Sequence, residues 1–126
     1  RHKPLQILLA ERNNMAKVTI KDNSAMVKAL TDALAMQSME QLAGMVENNA
    51  KDIVPVDTGA LRGSIQHETQ EKSGGVESVI GTNKEYAGYV ELGTSKMRAQ
   101  PYLKPAAEKI KGQIAGVFKS NFAKMK

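Results

Sequence analysis

The stretch VPVDTGALRGSI, Val54–Ile65, combines a helix stop with a tripeptide known from enzyme active sites. Pro55 disfavours the α conformation of the residue before it and so ends any preceding helix. Asp57-Thr58-Gly59 is the tripeptide that carries the catalytic carboxylate of aspartic proteases, and a chain of 126 residues is about the size of a homodimeric protease of that class. The same tripeptide also suits a turn, because Asp and Thr side chains accept hydrogen bonds from nearby backbone N–H groups.

The residues before this stretch have the spacing of a long amphipathic helix. Between Asn23 and Ile53 the apolar residues recur at steps of three and four, which places them on one stripe. Asn23 or Ser24 can accept the first free backbone N–H groups as the N-cap. The pattern predicts a helix of roughly thirty residues, about 45 Å long. Its stripe consists of Val27, Leu30, Leu34, Met39, Leu42, Val46, Ala50 and Ile53.

The residues after the stretch predict a β hairpin. Ser64–Lys72 is polar, which is typical of a strand at a sheet edge or with one wet face. Ser73–Gly75 supplies a turn in which Gly permits positive φ. Val76–Thr82 returns as the second strand.

Two helical segments follow the hairpin. Tyr86, Tyr89 and Val90 lie at i, i+3 and i+4, which favours a short helix ended by Gly93 in the left-handed conformation; a third strand is the alternative. Pro105 suits the first turn of a last amphipathic helix. Its apolar stripe consists of Ile110, Ile114, Val117, Phe118, Phe122 and Met125.

These patterns predict an α+β fold, with a long N-terminal helix, a small antiparallel β-sheet built on a hairpin, and a C-terminal amphipathic helix. The domain is expected to span residues 15–126. Met15 begins MAKVTIKDN, which reads as a natural start, so residues 1–14 are interpreted as a non-native or disordered N-terminal extension. A genuine N-terminal arm is the alternative.

The residue types present limit the chemistry available to the chain. There is no Cys, so disulfides, thiolate metal sites and Cys nucleophiles are excluded. HETQE, His67–Glu71, begins like a zinc-protease motif but lacks its second His, and the other His is His2. We therefore expect no metal site and no cofactor. The apolar runs are also shorter than the roughly 20 residues of a membrane helix.

Charge is distributed unevenly along the chain. Residues 97–126 hold seven Lys or Arg and one Glu, whereas residues 15–96 hold eight basic and eleven acidic residues. A basic segment on an acidic body can mark contact with nucleic acid or a membrane, but a solvated helix face is the favoured interpretation. Both interpretations stay open at the level of sequence.

The residues around Asp57 do not match an aspartic protease. The catalytic Asp of that class ends an apolar strand, and two such residues share one proton across a dimer axis. Here a predicted helix precedes Asp57, and Val79–Gly81 is only a faint counterpart of the second strand that packs beside the catalytic loop. The protease therefore stays an alternative to a structural turn.

Three stretches, taken in order, resemble a family of tailed-bacteriophage proteins. They are VPVDTGALRGSI, then GTNKEYAGYVELGT at Gly81–Thr94, then MRAQPYLKPA at Met97–Ala106. The ordered set is similar to tail-component or head–tail joining (neck, tail-completion) proteins, and to the lambda minor tail protein Z group.

This resemblance implies a structural virion protein with no catalysis and no small-molecule substrate. Copies would form a ring, such as a hexamer, between the connector and the tail, in contact with neighbouring phage proteins and weakly with passing DNA. The protein would be located in the virion, at the neck or tail, after assembly in the bacterial host cytoplasm, and no membrane is involved.

The resemblance also implies roles for the motif residues. The loop before the last helix is the candidate partner contact, through Ser95, Lys96, Met97, Arg98 and Gln100. Glu91 is expected to hold nearby backbone N–H groups or Arg62. The residues that shape the fold are expected to be Pro55, Asp57, Thr58, Gly59, Leu61, Tyr86, Tyr89, Glu91, Gly93, Thr94, Pro101, Tyr102, Leu103 and Pro105.

Overall fold

The computed structural model describes residues 5–12, 15–22, 27–28, 30–55, 59–72, 75–84, 87–96 and 98–124. It is a mixed helix and sheet structure, as the sequence predicts. In chain order the elements are β1 (Leu5–Arg12), β2 (Met15–Asp22), α1 (Asp32–Ile53), α2 (Gly59–Ser64), β3 (Gln66–Lys72), β4 (Gly75–Gly81), α3 (Ala87–Leu92), α4 (Leu103–Lys109), a 3₁₀ turn (Lys111–Gln113) and α5 (Ile114–Ala123).

The four strands form one antiparallel sheet in the order β1-β2-β4-β3. The predicted hairpin is confirmed, since β3 pairs with β4 from Gln66 opposite Gly81 to Lys72 opposite Gly75. The polar strand β3 lies at the sheet edge, also as predicted. The sequence interpretation missed β1 and β2, and β2 joins the hairpin by pairing with β4.

The core lies between the sheet and the helices. Val18, Ile20 and Ile80 are fully buried on the inner face of the sheet. Helix α1 packs on β3 and β4, and it also contacts α2, α4 and α5. Met39 and Leu42 are fully buried on α1, at two positions of the predicted stripe. The apolar stripe is therefore the face that α1 turns toward the core.

The long helix begins later than predicted. Helix α1 starts at Asp32, because Thr31 has an extended backbone (φ −65°, ψ 156°) and its Oγ1 accepts a hydrogen bond from the Leu34 N–H at 3.2 Å. A single helix from Asn23 is therefore wrong, and the predicted caps Asn23 and Ser24 lie outside the described residues. The predicted end is confirmed, since α1 stops at Ile53 before Pro55.

The C-terminal helix is interrupted where the sequence predicts one continuous element. The 3₁₀ turn Lys111–Gln113 separates α4 from α5 and contains Gly112, a weak helix former. The apolar stripe nevertheless faces the core: Ile110, Ile114 and Phe118 are buried, and Val117 and Phe122 pack against them. Pro105 lies in the first turn of α4, as predicted. Met125 lies outside the described residues.

The N-terminal residues pair with the rest of the sheet. Strand β1 runs antiparallel to β2 from Leu5 opposite Asp22 to Arg12 opposite Met15. The interpretation of residues 1–14 as an extension to a domain of residues 15–126 stays a prediction.

Candidate interaction site

Helix α3 has one buried and one exposed face. Ala87, Val90 and Glu91 are buried, at 0%, 7% and 2% exposure. Tyr89 and Leu92 are 42% and 51% exposed, which makes them two of the most exposed large apolar side chains among the described residues. Because they are three residues apart on a helix, they lie side by side on its outer face.

The helical prediction for this segment is confirmed over the alternative of a third strand. Gly93 ends α3 with a φ of 77°, in the left-handed region where residues with a Cβ are strained. Its N–H donates to the Tyr89 carbonyl at 2.7 Å. The predicted left-handed helix end at Gly93 is therefore present.

The buried carboxylate of Glu91 caps another helix. Its Oε1 accepts hydrogen bonds from the N–H groups of Tyr102 at 3.0 Å and Leu103 at 2.8 Å. Its Oε2 accepts from the Lys104 N–H at 3.2 Å. The first N–H groups of a helix have no partner within it, so Glu91 supplies the partners that α4 lacks. Of the two expected contacts of Glu91, the structure has the backbone contact, while Arg62 lies 3.9 Å from Asp52.

Tyr102 makes a second connection between α3 and the start of α4. Its side chain is fully buried, and its hydroxyl donates to the carbonyl of Ala87 at 3.4 Å. Helices α3 and α4 are thus joined by both the Glu91 carboxylate and the Tyr102 hydroxyl. This junction gives the exposed face of α3 a fixed orientation on the core.

The loop between the two helices is held to α3 at both ends. It leaves at Gly93, and it returns where the N–H of Gln100 donates to the Val90 carbonyl at 2.7 Å. Within it, the Thr94 hydroxyl accepts from the Lys96 N–H at 3.2 Å. The predicted contact residues Ser95, Lys96, Arg98 and Gln100 are all exposed, and Met97 lies outside the described residues.

Helix α3 and the loop that follows it therefore expose two kinds of side chain. Tyr89 and Leu92 contribute apolar area, and Lys96 and Arg98 contribute positive charge on a loop anchored at the same helix. We call these four residues the α3 surface.

The first motif surrounds a crossing between two helices. Helix α1 ends at Ile53, Gly59 begins α2, and Leu61 of α2 is fully buried. Asp57 and Thr58 lie outside the described residues, as does Tyr86 of the second motif. The catalytic Asp of an aspartic protease follows a strand, whereas here the neighbouring elements are helices.

A histidine between two carboxylates was not predicted. His67 Nδ1 lies 2.7 Å from Glu47 Oε1, and Nε2 lies 2.6 Å from Glu40 Oε2. Glu40 and Glu47 are seven residues apart on α1 and so share one face of that helix. The spacing of the two glutamates indicates that they share a helix face, but it does not identify His67 on β3 as their partner.

Within this cluster, the histidine and the two glutamates each stabilise the charged form of the other. Burial disfavours the charged imidazole, but the hydrogen bonds with Glu40 and Glu47 outweigh burial and raise the pKa of His67. Hydrogen bonds with Thr69 and His67 lower the pKa of Glu40. Burial opposes the charged form of Glu47, yet hydrogen bonds with Lys51 and His67 lower its pKa. Since both ring nitrogens face carboxylates, the cluster is a clamp between α1 and β3.

Neither a metal site nor a membrane span is found in the part of the chain that the structure describes. No group of three His, Cys, Asp or Glu side chains in these ranges could hold a metal ion. Their helices are also too short or too polar to cross a bilayer. The C-terminal lysines 104, 109, 111, 119 and 124 are exposed, which keeps them accessible to an anionic partner.

Comparison with known proteins gives one family match. The sequence model of the family described as "Bacteriophage HK97-gp10, putative tail-component" matches residues 15–93. This range includes β2, the hairpin and α3. No curated protein and no solved structure matches the chain.

Proposed function

Because this chain belongs to the HK97-gp10-like family of bacteriophage tail components, we propose that it joins or completes the tail at the head–tail interface as one copy in a ring. The family supports a structural role in the tail and a place in the virion. The neck position, the ring, assembly in the host cytoplasm, the absence of catalysis and the likeness to the lambda minor tail protein Z group belong to the proposal.

The α3 surface is the observation that carries this proposal. Exposed aromatic and aliphatic side chains beside cationic ones are typical of a protein interface, where apolar area supplies binding energy and charge selects the partner. The junction made by Glu91 and Tyr102 fixes α3, and with it Tyr89 and Leu92, before any partner arrives, so little ordering entropy is lost there on binding. The partners proposed for it are further copies of the chain and the adjacent connector and tail proteins.

A ring requires that each copy present two different surfaces. Contacts of this heterologous kind close into a ring when the rotation between copies is a simple fraction of a turn, as in a hexamer. An exposed apolar and basic surface on a body that is acidic over residues 15–96 provides unlike surfaces of this kind.

Sedimentation velocity over a wide concentration range tests the proposal. We expect the mass to rise with concentration from the monomer toward a closed ring. The variant Tyr89→Ser/Leu92→Ser is expected to stay smaller than the wild type at every concentration. A dimer that persists on dilution would contradict the ring, and it would direct attention to peptide cleavage by wild type and Asp57→Asn.

The exposed C-terminal lysines favour a second candidate function, which is contact with DNA passing through the neck. Neutralising Lys109, Lys111 and Lys119 to Gln is expected to weaken binding and to reduce its salt dependence. Charge-preserving Lys→Arg substitutions at the same positions are the matched control. Binding that is insensitive to salt would exclude a phosphate-backbone contact.

A further inference from the structure

We propose that the α3 surface of one copy docks into an acid-rimmed cavity at the start of α1 on the next copy. This inference rests on the proposed function, because it identifies the two surfaces that a ring of this chain would join.

The cavity lies where the residues before α1 meet the end of the hairpin. It has a volume of about 150 Å³. Val27, Leu30 and Val76 contribute apolar lining and are only 4%, 7% and 2% exposed. Charged side chains complete the lining, and a cavity of about 150 Å³ has room for a group the size of a benzene ring. One side chain the size of Leu92 or Tyr89 therefore fits.

The rim of the cavity carries an unfavourable pair of acids. Asp32 and Glu71 line it, and both are exposed. A hydrogen bond with Asp32, followed by repulsion between the like charges, raises the pKa of Glu71. Lys28 also lines the cavity, so the described residues of the rim include two carboxylates and one ammonium. A cationic partner would reduce the repulsion between the Asp32 and Glu71 carboxylates that Lys28 leaves in place.

The α3 surface matches this cavity in both respects. Leu92 and Tyr89 are exposed apolar side chains, and on docking one of them is removed from water against the apolar part of the lining. Lys96 and Arg98 lie on the following loop, which is hydrogen-bonded to α3 at its end. Their positive charges therefore belong to the same docking surface as Tyr89 and Leu92. The occupant of the cavity is thus the second copy, chosen by charge complementarity and size.

The two surfaces belong to different parts of the chain, which makes the contact heterologous. The α3 surface lies in residues 89–98, and the cavity lies in residues 27–76. When one copy fills the cavity of the next, its own cavity stays free for a third. Such contacts propagate until a ring closes.

Site-directed crosslinking tests the contact directly, because the chain has no cysteine. Leu92→Cys and Glu71→Cys are prepared separately, mixed at high concentration and treated with a short thiol-reactive crosslinker. We expect a crosslinked dimer from the mixture, at several times the yield from either variant alone. Leu92→Cys mixed with Glu108→Cys, which carries an exposed thiol on α4, is the matched control.

Charge exchange provides a second measurement on the intact chain. Lys96→Glu/Arg98→Glu is expected to weaken self-association roughly tenfold, and a Glu71→Lys copy mixed with it is expected to restore association. Circular dichroism on each variant separates loss of contact from loss of folding. Lys104→Glu/Lys109→Glu, with the same charge change on the exposed side of α4, is the control.

The outcomes separate this contact from the ring itself. Self-association of wild type without crosslinking between positions 92 and 71 would overturn the proposed contact and leave the ring intact. Crosslinking of Leu92→Cys with itself would indicate an isologous dimer and overturn it as well. A chain that stays monomeric at every concentration, with no crosslink above the control, would contradict both proposals.

Discussion

The Glu91 carboxylate accepts a hydrogen bond from the backbone N–H of Leu103 at 2.8 Å, twelve residues later in the chain. Glu91 is only 2% exposed, and the same carboxylate also binds the N–H groups of Tyr102 and Lys104. A buried charge is stabilised when hydrogen bonds satisfy its oxygens, and here the positive end of a helix supplies those bonds. One side chain thus joins α3 to the start of α4.

Replacing Glu91 should therefore destabilise the protein strongly. Glu91→Ala leaves three backbone N–H groups without an acceptor, and we expect a loss of about 2–4 kcal/mol in the free energy of unfolding. Glu91→Gln keeps one acceptor oxygen but points an amide N–H at another N–H, so we expect about half that loss. Urea denaturation measures both values.

Glu108→Gln is the matched control for Glu91→Gln, because Glu108 is exposed on α4. Its substitution should change the free energy of unfolding by less than about 0.5 kcal/mol. Equal effects at the two positions would contradict a capping role for Glu91.

Replacing glycine by alanine is expected to change the free energy of unfolding in opposite directions at Gly93 and at Gly44. Gly93 has a φ of 77°, so Gly93→Ala places a Cβ in the left-handed region and should cost about 1 kcal/mol. Gly44 lies inside α1, and a Cβ added there meets no atom within 4 Å. Gly44→Ala should stabilise by roughly 0.5–1 kcal/mol, because Gly is the weaker helix former. Thermal unfolding distinguishes the signs, and stabilisation at Gly93 would contradict the strained conformation.

The sequence was most informative where structure depends on neighbouring residues. Helix α1 ends before Pro55, α3 ends at Gly93, and β3 and β4 have the order and bounds of the predicted hairpin, because each effect acts within a few residues. Thr31 was missed as a cap, although the capping geometry is equally local. The helical spacing of apolar residues continues through Val27 and Leu30. Such spacing does not show that the helix is interrupted at Thr31.

Strand β2 was missed although its sequence carries a signal. In KVTIKD, Lys17–Asp22, polar and apolar residues alternate, and Val18 and Ile20 are fully buried. Besides β1, β2 pairs with β4, some sixty residues later, so no local pattern shows that the hairpin extends into a larger sheet.

Polar pairs between residues far apart in the chain could not be predicted from local sequence patterns either. Asn121 on α5 donates to the Ser38 hydroxyl on α1 at 2.6 Å, and both residues are buried. Neither residue belongs to a motif, and 83 positions separate them. Only the packing of α5 on α1 brings the two side chains together.

That pair should show strong energetic coupling. Ser38 also donates to the Leu34 carbonyl at 2.7 Å, so it keeps a partner when Asn121 is changed. Asn121→Ala should destabilise by about 1–3 kcal/mol. The double variant with Ser38→Ala should lose less than the sum of the single losses, by about 0.5–2 kcal/mol. Additive losses would show that the hydrogen bond contributes nothing, and Ser38→Ala combined with Asn83→Ala, on an exposed loop, is the additive control.

The clamp around His67 should make stability depend on pH in a defined direction. The pKa of His67 is raised in the folded state, because its hydrogen bonds with Glu40 and Glu47 outweigh burial. Its contribution is therefore complete below the ordinary value of 6.5 and is lost as pH rises through the folded pKa. The pKa values of Glu40 and Glu47 are lowered, so their contributions are present above 4.5 and are lost as pH falls.

These signs predict that the clamp stabilises the fold most between about pH 4.5 and pH 6.5. His67→Gln should lower the free energy of unfolding by about 1 kcal/mol within that window and by less at higher pH. His2→Gln is the control, since His2 is the other histidine of the chain. Urea denaturation from pH 4.5 to well above pH 6.5 should therefore give a slope of stability against pH above 6.5 that His67→Gln reduces and His2→Gln leaves unchanged. The same slope in all three proteins would show that the contacts of His67 do not hold α1 against β3 in solution.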